Sequence, residues 1–326
     1  MRKAINDSPN QLRFEPIIEN IDSLEKKEKF IVSGMGGSHL AADLIKTWDP
    51  YFDITVHHDY GLPAMSCDLK NYLVIISSYS GNTEEAIDGF NIAISKGLAV
   101  AVVSTGGEVI ELAKKHKKPY IQIPDTGIEP RSALGFSAVS LLKMMNQEKA
   151  LSDIKETADR LNMEEAEREG KELAQKLNNK IPVIYSSTKN EPIAYNWKIR
   201  FNETGKVPSF YNTIPELNHN EMVGFDREGE TRPISDNFHF IFLKDEEDHK
   251  RNLLRMEITK NILTEKNLPV EMLALKGENV WEKIFSSLLL ADWAAFYTAE
   301  NYKLNAQETE IINRFKGIIK EKGLML

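Results

Sequence analysis

The sequence predicts an α/β protein with two doubly wound parallel sheets, one in each half of the chain. Short apolar runs alternate with helical patterns twice over, and each half opens with the same succession of strand, loop and helix. In the first half FIVSG, YLVIISS, LAVAVVS and YIQIP read as strands, with HLAADLIKTW, TEEAIDGFNIAISK and EVIELAKKH as the helices between them. Strands separated by helices run parallel, with helices on both faces, because each crossover returns the chain to the same end of the sheet. From Gln147 to about Asn179 the leucines keep helical spacing among many i,i+4 charge pairs, which predicts a connecting helix. A second series then begins at KIPVIYSS and runs through EPIAYNWKIRFNETGK, FHFIFL, HKRNLLRMEITKNIL and PVEMLAL to the helix NVWEKIFSSLLLADWAAFYTAEN. The expected domains are residues 1–150, and residues 151–326 with the connecting helix, the second sheet and a C-terminal helix. The repeated opening points to a duplication in which only the first half keeps phosphate-type glycines. A ligand cleft is then expected between the halves.

Composition narrows the ligand. The 326 residues are 41% hydrophobic and carry a formal charge of -8, with a pI near 5.5. Nucleic acid and anionic membrane both need a basic field, so neither is expected as a partner. The one cysteine, Cys67, allows neither an internal disulfide nor a cysteine cluster for zinc, as expected of a reducing cytoplasm. The first residues have no apolar signal core, and the apolar stretch SLLLADWAAFY is short and carries Asp292, so no membrane span is expected.

Two loops carry the chemistry of the first half. GMGGSHLAAD, Gly34 to Asp43, follows a strand and opens a helix. It is not a dinucleotide fingerprint, whose third glycine position is His39, nor a nucleotide P-loop, which needs a lysine. Gly34, Gly36 and Gly37 let backbone amides approach an anion, and Ser38 can cap the helix or donate its hydroxyl. SSYSGNTEEA, Ser77 to Ala86, repeats the placement with Ser78, Ser80 and Thr83 around Gly81. In a doubly wound sheet both loops face one crevice, where a single phosphate could meet them. His39 and Asp43 have helical spacing for two metal ligands, but no third ligand is evident and no metal site is expected.

Together, GMGGSHLAAD and SYSGNTEEA resemble the sugar isomerase (SIS) domain, and the order of motifs is similar to that of the bifunctional phosphoglucose/phosphomannose isomerases, which contain two SIS domains. Five motifs from Gly34 to Lys316 carry the resemblance. It implies flavodoxin-like sandwiches, a phosphorylated hexose substrate, an enediolate route needing no cofactor or metal, and Gly36, Gly37, Ser38, Ser78, Ser80 and Thr83 as phosphate ligands. IEPRSALGF is similar to the family's QPRxALGY stretch, with Glu129 and Phe136 as departures. Alone, Arg131 reads as a surface arginine; the resemblance implies that it stabilises the enediolate charge. Glu203 of IRFNETGKVPSF alone reads as the exposed end of a helix, and by resemblance is the base that moves a proton between C2 and C1. His219 of IPELNHNEMVGF reads as a solvated polar-loop histidine, and by resemblance opens the sugar ring from the neighbouring subunit of a homodimer. In the last helix Ile311, Ile312, Phe315 and Ile318 form an apolar face. Alignment with the family ending VDPTPVEVIDYLK puts Lys316 on the site lysine and Thr309 on the threonine linked with accepting both epimers, although Asn305 and Ala306 replace Asp-Pro. The activity implied is interconversion of glucose 6-phosphate, and of mannose 6-phosphate, with fructose 6-phosphate. Two other readings stay open: a non-catalytic phosphosugar sensor, and an amino-sugar-phosphate enzyme of the same superfamily. A sensor has no need of base, ring opener and lysine together.

Overall fold

A computed structural model describes residues 1–226 and 229–323. Two short helices, α1 (Arg2–Asn6) and α2 (Ser8–Leu12), precede a five-stranded sheet formed by β1 (Lys29–Ser33), β2 (Ile54–His57), β3 (Tyr72–Ser77), β4 (Ala99–Ser104) and β5 (Tyr120–Gln122). Its order is β2-β1-β3-β4-β5 and every pair is parallel. Crossovers are made by α3 (Gly37–Trp48), α4 (Glu84–Ser95) and α5 (Gly107–Lys115), and α6 (Leu134–Met144) covers the sheet. Every residue of β3 and β4 is buried, which is why these strands read as unbroken apolar runs.

The second sheet holds β6 (Ile181–Ser187), β7 (Phe210–Ile214), β8 (Phe238–Lys244) and β9 (Val270–Ala274) in the parallel order β7-β6-β8-β9. This repeats the first four positions of the first sheet, as the repeated opening predicts. Its helices are α9 (Glu191–Glu203), the one-turn α10 (Arg232–Ser235), α11 (Lys250–Glu265) and α12 (Val280–Asn301). The edge strands β2 and β7, ITVH and FYNTI, lie outside the apolar runs that predict strands.

The predicted connecting helix is two helices, α7 (Glu148–Arg160) and α8 (Met163–Lys176). Leu161 and Asn162 leave helical geometry between them, and Asn162 caps the second helix by accepting from the amide of Glu165 at 3.1 Å. The final helix, α13 (Glu310–Gly323), forms as expected, but its apolar face is uncovered: Ile311 is 81% exposed and Phe315 62%.

One hydrophobic core runs through both halves, joining Val32, Leu40 and Leu44 to Trp197, Phe201, Trp281 and Ile284. Helix α3 packs on α9 across this boundary, and Trp48 stacks on Trp281 at 5.9 Å. Trp197 and Trp281 are fully buried, each worth roughly 1.5–3 kcal/mol or more of apolar burial. This core fixes the glycine-rich loop of one half against the helix that ends at Glu203 in the other.

Candidate active site

The strand order reverses between β1 and β3, which is where a doubly wound sheet opens its crevice. Ser33 of β1 lies opposite Ile76 of β3, so the loops beginning at Gly34 and Ser78 leave the same edge. A methyl group on Gly34 would stand 2.4 Å from the Ser77 carbonyl, so only glycine permits this approach. The loops are stitched together: Ser77 Oγ donates to the Ser38 carbonyl at 2.7 Å, and Ser38 Oγ accepts from the Tyr79 amide at 2.9 Å. Ser78 Oγ donates to Thr83 Oγ1 at 3.0 Å and accepts from the Gly81 amide at 3.1 Å. Gly36, at φ 53°, and Thr83 stand immediately before α3 and α4, so the first amides of both helices face this edge. Ser80 is exposed on the rim, where its hydroxyl accepts from the Asn82 amide at 3.3 Å. The structure therefore brings Gly36, Gly37, Ser38, Ser78, Ser80 and Thr83 into one hydroxyl- and amide-lined cradle. A third loop, not singled out in the sequence, braces it: Thr105 donates through its amide and its hydroxyl to the Tyr79 carbonyl, at 3.0 and 2.6 Å.

Arg131 joins this cradle to the second half. It sits on a 3-10 turn, Pro130–Ser132, whose backbone rests on Gly37; a Cβ there would meet the Pro130 carbonyl carbon at 2.7 Å and the Arg131 nitrogen at 2.8 Å. Behind the turn, buried Gln11 donates to the Ser132 carbonyl at 2.7 Å and accepts from the Gly135 amide at 3.1 Å. The guanidinium, 1% exposed, donates from Nε to Thr204 Oγ1 at 3.0 Å, from Nη1 to Glu203 Oε2 at 3.0 Å, and from Nη2 to the Ala306 carbonyl at 3.2 Å. Glu129 Oε2 lies 3.7 Å from Nη1. An arginine fork can hold all three acceptors at fixed angles, which no lysine can do. Glu203 remains about one-third exposed, so its carboxylate is anchored on one side and open on the other. Burial holds the Tyr195 hydroxyl above its ordinary range, and Asp43 and Glu203 push the same way.

The other candidates lie elsewhere or at the edge. Thr309 is half-buried and follows Glu308, whose carbonyl accepts from Lys206 beside Glu203; the bond to Ala306 holds the same segment from the other end. Lys316 is exposed on α13, and within the single chain it makes no hydrogen bond or ion pair with Glu203 or Arg131, which bond to each other. His219 ends a 3-10 turn after β7, Glu216–His219, and is exposed, with no hydrogen bond or ion pair among the described residues. His39 and Asp43 hydrogen-bond to each other at 2.6 Å, and among the described residues no three His, Cys, Asp or Glu side chains could hold a metal ion. Sequence reasoning missed Gln11, Thr204 and Lys206. The only local signal was that Thr204 and Lys206 flank the glycine of NETGK.

Comparison with known proteins bears on this arrangement. A bifunctional phosphoglucose/phosphomannose isomerase of Caldicellulosiruptor bescii is 34% identical, covering 98% of this chain and 99% of its own. Another, from Aquifex aeolicus, is 31% identical and covers 98% of each chain. The chain belongs to the bifunctional phosphoglucose/phosphomannose isomerase family. Residues 166–319 match the family model of the bacterial phospho-glucose isomerase C-terminal SIS domain. Among solved structures, glucosamine-6-phosphate deaminase of Thermotoga maritima shares the fold with a TM-score of 0.67, at 15% identity over 94% of this chain and 95% of that one. The isomerase family membership agrees with both sheets and with the phosphosugar enzyme read from the motifs. No helix among the described residues is long and apolar enough to cross a membrane.

Proposed function

We propose that this isomerase interconverts glucose 6-phosphate and mannose 6-phosphate with fructose 6-phosphate through a shared enediolate. One observation carries the chemistry: Arg131 of the first half donates to Glu203 of the second at 3.0 Å, beside the cradle suited to the phosphate. Glu203 takes the C2 proton of the open aldose, leaving its electron pair in a C1=C2 double bond and a negative charge on O1. The C2 hydroxyl proton passes to O1, and Glu203 returns its own proton at C1 to give the ketose. Arg131 cannot lose its proton, so its field lowers the energy of the enediolate while its fork fixes the base.

The reading includes a homodimer in the cytoplasm. The uncovered faces of α13, with Ile311 and Phe315, and of α11, with Leu254, Ile258 and Ile262, support a partner chain over this part of the surface. The exposure of His219 and Lys316 suits residues completed by a second copy, with His219 opening the sugar ring across the interface.

Turnover of fructose 6-phosphate in deuterium oxide tests the route. The expected result is solvent deuterium at C2 of both aldoses. Isomerisation with no deuterium incorporated even at low conversion would argue against exchange at Glu203. Tight binding of fructose 6-phosphate with no product would leave only a phosphosugar sensor.

A further inference from the structure

Lys206 lies in the same motif as Glu203, where the resemblance gives it no role, yet its ammonium rests against the end of the base helix. Its Nζ donates to the backbone carbonyl of Glu203 at 2.7 Å and also to the carbonyl of Glu308, 102 residues away in sequence. The residue adopts φ 60°, in the left-handed region that side-chain-bearing residues rarely occupy. Capping the last carbonyls of α9 would explain the first bond. It does not explain the second, which leaves the helix and reaches the segment before α13. Arg131 grips that segment two residues earlier, at the Ala306 carbonyl, so residues 306–308 are tied to the end of the base helix by two cations. Burial, and then the neighbouring Arg131, hold the Lys206 ammonium below the usual lysine range, against the pull of Glu203, Glu129 and Glu308.

The consequence follows from the stereochemistry of the proposed reaction, on which this inference rests. Glucose 6-phosphate and mannose 6-phosphate form from one intermediate and differ only at C2. A base fixed on one side makes one or the other according to how the remainder of the sugar is rotated about C2–C3. The wall beside the base therefore decides the product. We infer that Lys206 is a positioning residue that holds the Ala306–Glu308 segment against Glu203 and thereby sets the proportion of the two aldoses.

The test measures initial rates of glucose 6-phosphate and mannose 6-phosphate formation from fructose 6-phosphate for wild type, Lys206→Gly and Lys206→Arg. Glycine suits the left-handed backbone, so it removes the ammonium and leaves the turn unstrained. The product ratio is expected to shift by about threefold or more in Lys206→Gly while the KM for fructose 6-phosphate stays within about threefold. Lys206→Arg, which retains donors for both carbonyls, should bring the ratio back toward wild type. Amide hydrogen exchange of residues 306–309 should quicken in Lys206→Gly. If that variant does not fold, Lys206→Met is read by the same ratio. An unchanged ratio, with both rates falling together, would reduce Lys206 to a helix cap and overturn the inference. A wild type that forms one aldose only also overturns it, and one that forms neither overturns the isomerase reading as well.

Discussion

Replacing Arg131 by lysine separates charge from geometry at the junction of the halves. The guanidinium holds Thr204 Oγ1 and Glu203 Oε2 at 3.0 Å and the Ala306 carbonyl at 3.2 Å from three different nitrogens. An ammonium keeps the positive charge but can face only part of this set, so about two bonds are lost. Thr204 is fully buried and Ala306 is 5% exposed, which leaves water little access to the abandoned acceptors. At about 1.5–3 kcal/mol for each charge-assisted bond, the loss is about 3–6 kcal/mol. If only the lower figure falls on the placement of Glu203, the rate drops about a hundredfold. Steady-state isomerisation of fructose 6-phosphate should show kcat reduced by that factor or more, with KM changed less than about fivefold. Thermal unfolding of the same variant separates misplacement from gross loss of fold. A kcat within about fivefold of wild type would refute the idea that the three-pronged grip orients the base, leaving Arg131 as a charge alone.

Other perturbations have equally defined outcomes. Gly37→Ala drives a methyl into the backbone of Pro130 and Arg131 at 2.7–2.8 Å; activity should fall about tenfold or more, since backbone displacement of this kind moves the Arg131 guanidinium away from Glu203, and near-normal kcat would show that the turn can yield. Burial holds the ring of His239 below the ordinary imidazole range. Between the folded value and the unfolded value of about 6.5 the unfolded chain binds more protons, so stability falls as pH drops below about 6.5. Melting temperatures at pH 7.5 and pH 5.5 should fall further for wild type than for His239→Gln; equal decrements would mean that His239 is not the group responsible. Phe315→Ser, on a residue 62% exposed in the single chain, should shift light scattering of the purified protein toward monomer with little change in secondary structure, whereas an unaltered mass would remove α13 from the interface.

What the sequence reveals depends on how local the cause is. The cradle loops were legible because glycine at a close approach and hydroxyls before a helix act within a few residues of themselves. Strands β3 and β4 were legible for the same reason, being buried on both faces. Strands β2 and β7 were not, since ITVH and FYNTI are short edge strands of mixed burial without clean alternation. The break between α7 and α8 interrupts a charged pattern that is helical on both sides, and its one cue was Asn162 three residues before Glu165. The contact between Arg131 and Glu203 spans 72 residues, and the one between Lys206 and Glu308 spans 102. Neither leaves a periodic trace, because each is produced by the packing of α3 on α9 and by the return of the chain after α12. The family resemblance pointed to Arg131 and Glu203 separately; only the folded chain shows the hydrogen bond between them.

The central claim is that Glu203 is the single base serving both aldoses. The most direct measurement is a coupled assay of purified wild type and Glu203→Gln on fructose 6-phosphate, reading glucose 6-phosphate and mannose 6-phosphate separately, with calorimetric binding of the same sugar phosphate. Wild type is predicted to form both products. Glu203→Gln should form neither above about 0.1% of the wild-type rate while binding within about tenfold of wild type, because a carboxamide keeps the shape but cannot accept the proton. Retention of more than about a tenth of the wild-type rate for either aldose by Glu203→Gln would contradict it.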